Sequence, residues 1–277
     1  MLVSSTVPQY LQLLETPAGP ERHTAWVDRY EAAHPEVFTT YYSSWGNPVR
    51  RQTAADLVEV HAPMMEGREQ RVVTFAAEAG TALCDLGLLD TPDLPVVVLV
   101  GVGSSNGWVA LHRGLPTLFI ALEFLTDSVC DNVLVLHEAV HLARQRLTFP
   151  AWPGTVLESL VGEGLAVSLS RLLLPGLSDS AYLWFDREHD DWVNQCRRRR
   201  GDIRSWPSRR LDYEDEQTLS ELFSAQPGSR LPTRSGYWLA AAVMGDLLAD
   251  GHPPLELMTW PYAAAEAAMV RCLELVI

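Results

Sequence analysis

The chain has 277 residues and a formal net charge of −14. So acidic a balance disfavours nucleic acid and anionic membranes as partners, because their phosphates require a basic surface. With 47% hydrophobic residues the chain can bury a substantial core, yet no apolar run is long enough for a membrane-spanning helix. The four cysteines, Cys84, Cys130, Cys196 and Cys272, are widely spaced and form no CxxC pair, which argues against a zinc knuckle or a disulfide framework. The start, Met1-Leu2-Val3-Ser4-Ser5, lacks the basic n-region of a secretory signal. A reduced, cytoplasmic protein is expected. The sequence leaves the oligomeric state open.

Residues 1–93 read as a mostly helical N-terminal region. Within it, Glu66 to Leu89 carries a helical period, with Val72, Val73, Phe75, Ala76, Ala79 and Leu83 on one stripe. Pro92 and Pro95 end that region. Pro95 to Val100 is a β-branched run of strand length. Turn residues follow from Gly101 to Gly107, then a second strand over Trp108 to Leu111 and a third over Pro116 to Phe124. The third, at Thr117 to Leu122, is either a core strand or a sheet edge whose free backbone could hold an extended peptide.

An apolar helix comes next, with Asp131 and Asn132 as capping residues before Val133 and with Arg144 and Arg146 in its last turn, where positive charge suits the helix dipole. It is expected to run to about Leu147. It contains His137-Glu138-Ala139-Val140-His141. Histidines at i and i+4 project from one helix face, roughly 5–6 Å apart at Cβ, and both can reach one ion at about 2.0–2.1 Å. Glu138 is then placed to take a proton from an attacking water rather than to bind metal. Imidazoles inside an apolar helix are costly unless a partner satisfies them, and a metal does so.

The third ligand sets the subclass. Arg144 and Leu147 stand where a metzincin has Gly and His, so that class is excluded. Glu163 follows His141 after 21 intervening residues, enough for a turn and the start of a second helix packed on the first. A carboxylate there completes a His2Glu zinc site with one open position. Glu158, in Gly154-Thr155-Val156-Leu157-Glu158, is the rival.

Further on, Asp179 to Arg210 is rich in charge and tryptophan. Arg197 to Arg200, with Arg204, Arg209 and Arg210, is more readily a solvated cluster paired with Asp212, Glu214 and Asp215 than a nucleic-acid patch. Pro227-Gly228 and Pro232 mark a loop. Tyr237 to Leu248 reads as a buried helix, and Tyr262 to Leu275 as a final Ala-rich one.

HEAVH followed by Val161-Gly162-Glu163-Gly164-Leu165-Ala166 resembles the gluzincin group of zinc metallopeptidases. It is similar, more narrowly, to a family of predicted bacterial zinc-dependent proteases first catalogued as a domain of unknown function, whose members pair HExxH with a later EGLA-type element. The resemblance is strongest from about Asn132 to Ser170 and extends weakly to Ser235-Gly236-Tyr237-Trp238. It implies a zincin-like α+β fold over residues 94–277, forming one compact unit with the N-terminal region. It also implies Zn²⁺ on His137, His141 and Glu163, with Glu138 as base. Thermolysin-like members carry an Asp four residues after the ligand Glu; here Val167 stands there, so the outer partners of the histidines come from elsewhere.

The function expected is zinc-dependent hydrolysis of a peptide bond in a peptide or protein substrate. Tyr237 is the candidate donor to the oxyanion, with Arg234 and His252 as alternatives. The rival functions are a non-catalytic zincin-like binding or regulatory protein and a zinc hydrolase of small amides or esters. An intact Glu138 argues against a purely structural metal.

Overall fold

The run Val96-Val97-Val98 has no polar alternation, and such a run forms a strand covered on both faces. The computed structural model describes residues 2–148, 151–224 and 230–274. In it this run is β2 (Pro95–Leu99), buried from Val96 onward. β2 lies between β1 (Leu2–Ser5) and β4 (Leu115–Ala121) and is parallel to both. β3 (Gly107–His112) pairs antiparallel with β4 and completes the order β1-β2-β4-β3. Arg113 and Gly114 join β3 to β4, both at positive φ, as a two-residue primed turn requires.

Helices make up most of the remaining described chain. They are α1 (Val7–Leu11), α2 (Pro20–Ala25), α3 (Pro35–Ser44), α4 (Arg51–Asp56), α5 (Val58–Asp85), α6 (Ser128–Leu147) and α7 (Val156–Leu173). After these come α8 (Asp179–Leu183), α9 (Asp190–Arg198), α10 (Arg200–Ser205), α11 (Glu216–Phe223), α12 (Ser235–Ala249), α13 (Pro254–Met258) and α14 (Tyr262–Glu274). The protein is thus mostly helical α+β with a small mixed sheet. Among the described residues no helix is long and apolar enough to cross a membrane. The loop expected at Pro227-Gly228 and the last residue of the expected final helix, Leu275, lie outside the described residues.

Internal contacts group residues 1–84 with 91–142, and residues 85–90 with 143–277. In the first unit β1 falls inside the region expected to be helical. It is held by backbone pairing with β2, so the N-terminal helices share a unit with the sheet. Tyr10, Trp26 and Tyr30 meet edge to face at 5.0–6.0 Å, and the Tyr30 hydroxyl donates to Val100 O at 2.7 Å, just past β2. α5 begins at Val58, eight residues before the expected start at Glu66. Val58, Ala62 and Met65 extend its buried stripe, and Pro63, in the second turn, forfeits one hydrogen bond rather than ending the helix.

Of the two readings left open for Thr117 to Leu122, the core strand holds. The strand over Thr117 to Leu122 is not an edge: β4 is hydrogen-bonded on both sides and cannot add a peptide. It ends at Ala121 because Leu122–Phe124 forms a 3₁₀ turn. The edges are β1 and β3. Trp108 anchors β3, stacked between Tyr41 at 5.3 Å and Phe119 at 5.1 Å.

The second unit is built around α7 and α12, both strongly apolar. They approach so closely that a Cβ at Gly164 would lie 2.5 Å from Ala240 O and 2.5 Å from Met244 Cγ. Three arginines of the basic cluster are ion-paired, with acids other than those expected. Arg197 meets Asp179 at 2.6 Å, Arg199 meets Asp202 at 3.0 Å and Arg204 meets Asp246 at 3.7 Å. Trp192 is buried, its indole donating to Thr233 O at 2.6 Å, so it is no stacking platform for a base.

Gly164→Ala should therefore cost about 1–3 kcal/mol by overpacking, read as a lowered denaturation midpoint. An unchanged midpoint would mean that α7 and α12 do not meet at this backbone.

Candidate metal centre

α6 is buried without a break from Val133 to Val140, a stretch that is apolar except for His137 and Glu138. It starts earlier than the sequence suggests. Asp127 Oδ1 accepts the N–H groups of Val129 at 2.8 Å and Cys130 at 3.3 Å, so Asp127 caps the helix. Asp131, expected at the cap, instead lies within the first turn, 4% exposed. It pairs with Arg71 at 2.8 Å and accepts Thr126 N–H at 3.1 Å. Burial still pushes the Asp131 carboxyl above its usual range, with Arg71 opposing the shift.

His137 is buried on this helix, and His141 lies one turn on, partly exposed. Their Nε2 atoms are 3.1 Å apart. Two nitrogens that share a tetrahedral ion at about 2.0–2.1 Å each lie roughly 3.3 Å from one another, so the imidazoles already have the spacing of a shared ligand pair. Glu138 is 7% exposed. A Cβ on Gly107 would lie 2.9 Å from Glu138 Cγ, so the first residue of β3 packs directly against this side chain.

Glu163 comes from α7. That helix is capped by Thr155, whose Oγ1 accepts Glu158 N–H at 3.1 Å. His137, His141 and Glu163 form a group able to hold a metal ion, their ligand atoms all within 4.8 Å of one another. Two imidazoles and a carboxylate are a borderline donor set that suits zinc, with one position left for water. Glu158 goes elsewhere. Its Oε1 lies 3.7 Å from Arg144 Nη2, and the buried Arg144 guanidinium sits 4.5 Å over the Trp152 ring. Burial lowers the Arg144 pKa and Glu158 offsets part of that shift.

Tyr237 stands in the first turn of α12, half-buried, with its ring edge-on to Phe223 at 5.6 Å. Arg234, at the helix entry with φ of 56°, lies 4.4 Å over the Tyr237 ring and 4.5 Å over Trp184. Tyr237 and Arg234 thus belong to one stack. His252 is apart from it, bonded to Glu256 at 3.0 Å and set against Trp260. The sequence reading missed two contributors, Gly107 behind Glu138 and Asp127 as cap. Asp127 had a local signal, a capping side chain two and three residues before N–H groups of an apolar run. Gly107 had none beyond its turn-forming neighbours.

Comparison with models of known protein families, with curated proteins and with solved structures finds no match for this chain. Metal content is the direct check on the site. Protein purified without chelator should carry near-stoichiometric zinc, lost in Glu163→Ala and kept in Glu158→Ala. The latter should instead lose about 1 kcal/mol or less, because the pair with Arg144 is partly exposed. Zinc retained in Glu163→Ala would remove Glu163 from the ligand set.

Proposed function

We propose that this chain is a zincin-like, gluzincin-type metallopeptidase that holds Zn²⁺ with His137, His141 and Glu163 and hydrolyses peptide bonds. The observation that carries this reading is the His-His-Glu group with a buried carboxylate, Glu138, adjacent to one of its histidines on the same helix. When bound, zinc supplies a Lewis acid for the scissile carbonyl and lowers the pKa of water towards about 7.

The remaining work falls to the chain. Glu138 accepts a proton from the attacking water as the C–O bond forms, and delivers it to the leaving nitrogen as the C–N bond breaks. Packing of β3 against Glu138 restrains the carboxylate for both transfers. The Tyr237 hydroxyl donates to the developing oxyanion. Its ring is fixed by Phe223 and Arg234, which reduces the entropy lost in aiming it.

A peptide substrate is favoured over a small amide or ester by the position of the sheet edge. β3 is an edge strand, and it begins beside Glu138. An extended peptide added to β3 would run past the base, with backbone hydrogen bonds supplying affinity. A purely structural or regulatory metal would have no use for Glu138 next to its ligands. Cys84, Cys130, Cys196 and Cys272 form no disulfide among the described residues, which is in keeping with a reducing, cytoplasmic setting.

Glu138→Gln should keep its zinc and lose turnover of a mixed peptide library by about 10²–10⁴-fold, followed by mass spectrometry. Full activity in that variant would end its role as base. Tyr237→Phe should lower kcat by about 10²–10³-fold with little change in KM or zinc content. A zinc-loaded wild type that cleaves esters but no peptide would turn the reading to the small-molecule hydrolase.

A further inference from the structure

A cavity of about 380 Å³ opens in the first unit, lined by α1, α4 and α5, by the chain after β2, and by Glu123. It shares no residue with the metal centre, and its volume is at the small end of the roughly 300–1,000 Å³ that small-molecule sites span. Five polar side chains face it, Tyr10, Arg50, Thr53, His61 and Glu123, and four of them are unusually placed.

Glu123 follows β4 directly. Its Oε2 accepts Gly101 N–H at 2.8 Å and its Oε1 accepts Gly103 N–H at 3.0 Å. Its own backbone N–H also bonds the carboxylate, and the group's roughly four lone-pair sites leave room for a further donor. Glu123 has no ion-pair partner among the described residues. Arg68, which acts on it electrostatically, donates to Leu122 O at 3.0 Å. Burial accordingly pushes the Glu123 carboxyl above its usual range. Arg50, exposed at the rim, donates to Gly103 O and also has no ion-pair partner among the described residues. A lone anion and a lone cation are thus anchored on the N–H and the C=O of one residue, Gly103, and both face the same space.

The other two polar groups have unmet hydrogen-bonding capacity. Tyr10 is fully buried and its hydroxyl has no hydrogen-bond partner among the described residues; nor has the buried Nδ1 of His61. A buried hydroxyl left unpaired is costly, so its retention here points to a group that joins it. Burial, with Arg68 nearby, lowers the His61 pKa and keeps that imidazole neutral. The remaining wall is apolar: Leu57, Val100 and Val102.

We propose that this cavity binds a free amino acid with an apolar side chain, its ammonium group on Glu123 and the Tyr10 hydroxyl, its carboxylate on Arg50, and its side chain against Leu57, Val100 and Val102. The ligand neutralises both lone charges at once, which neither a simple amine nor a simple acid does. His61 accepts or donates the remaining hydrogen bond. The site is independent of the peptidase reading.

The test is titration calorimetry on the full chain with L-valine, L-leucine and L-methionine as probes. Isopentylamine and 4-methylpentanoate, which are leucine without its carboxylate and without its amine, serve as controls. At least one amino acid should bind with millimolar affinity or better, and each control at least about tenfold more weakly. Arg50→Ala changes an exposed residue, and Tyr10→Phe removes a hydroxyl that bonds nothing in the unliganded protein, so both variants should fold. Each should weaken amino-acid binding by about tenfold. The proposal is overturned if no amino acid binds, if either control binds as well as leucine, or if both variants bind like wild type. Binding that vanishes when metal is stripped by chelator would belong to the metal centre and would also overturn it.

Discussion

The constraint on which the structure turns is a buried helix that carries polar chemistry. α6 must be apolar enough to be covered from Val133 to Val140, yet it brings His137 and Glu138 into that covered segment. Burying such groups is expensive unless each is given a defined neighbour. The fold supplies neighbours on every side that the described contacts reveal: His141 one turn away, β3 against Glu138, and Arg71 drawn to Asp131 at the entry of the same helix. The same residues that make the helix costly give it a directional site.

Charges elsewhere follow the same logic, which sets the Glu123 cavity apart. Glu31 is nearly buried and collects both guanidinium donors of Arg51 at 2.7–2.8 Å, plus the Trp26 indole at 2.8 Å. Arg22 is 3% exposed and donates twice to Thr16 O and once to Glu59. Arg144 has Glu158 and the face of Trp152. Glu123 differs from these: it faces a cavity with the exposed Arg50 across the same space, and neither has an ion-pair partner among the described residues.

Much of this was legible in the residues. The valine run of β2, the apolar period of α6, the EGLA helix and the Ala-rich final helix each carry a pattern that one physical rule decodes. What escaped depended on distant partners. β1 is four residues whose strand character comes from backbone pairing with β2, some ninety residues on. The start of α5 was hidden because Pro63 reads locally as a breaker, whereas burial of Val58 and Met65 outweighs one lost hydrogen bond. The acids that pair with the arginines were misjudged because spacing in sequence says nothing of which helix lies alongside. The edge of the sheet, likewise, is a property of strand order and not of any strand's composition.

The contact between Gly107 and Glu138 has a consequence for how such a chain could change over time. A side chain at position 107 would press on Glu138 Cγ at 2.9 Å and on Ile120 and Leu134 at 3.3 Å. One substitution at the start of β3 would therefore displace the carboxylate without altering any residue of the HExxH run. On the proposed reading, such a descendant would lose its base while its motif still read as intact.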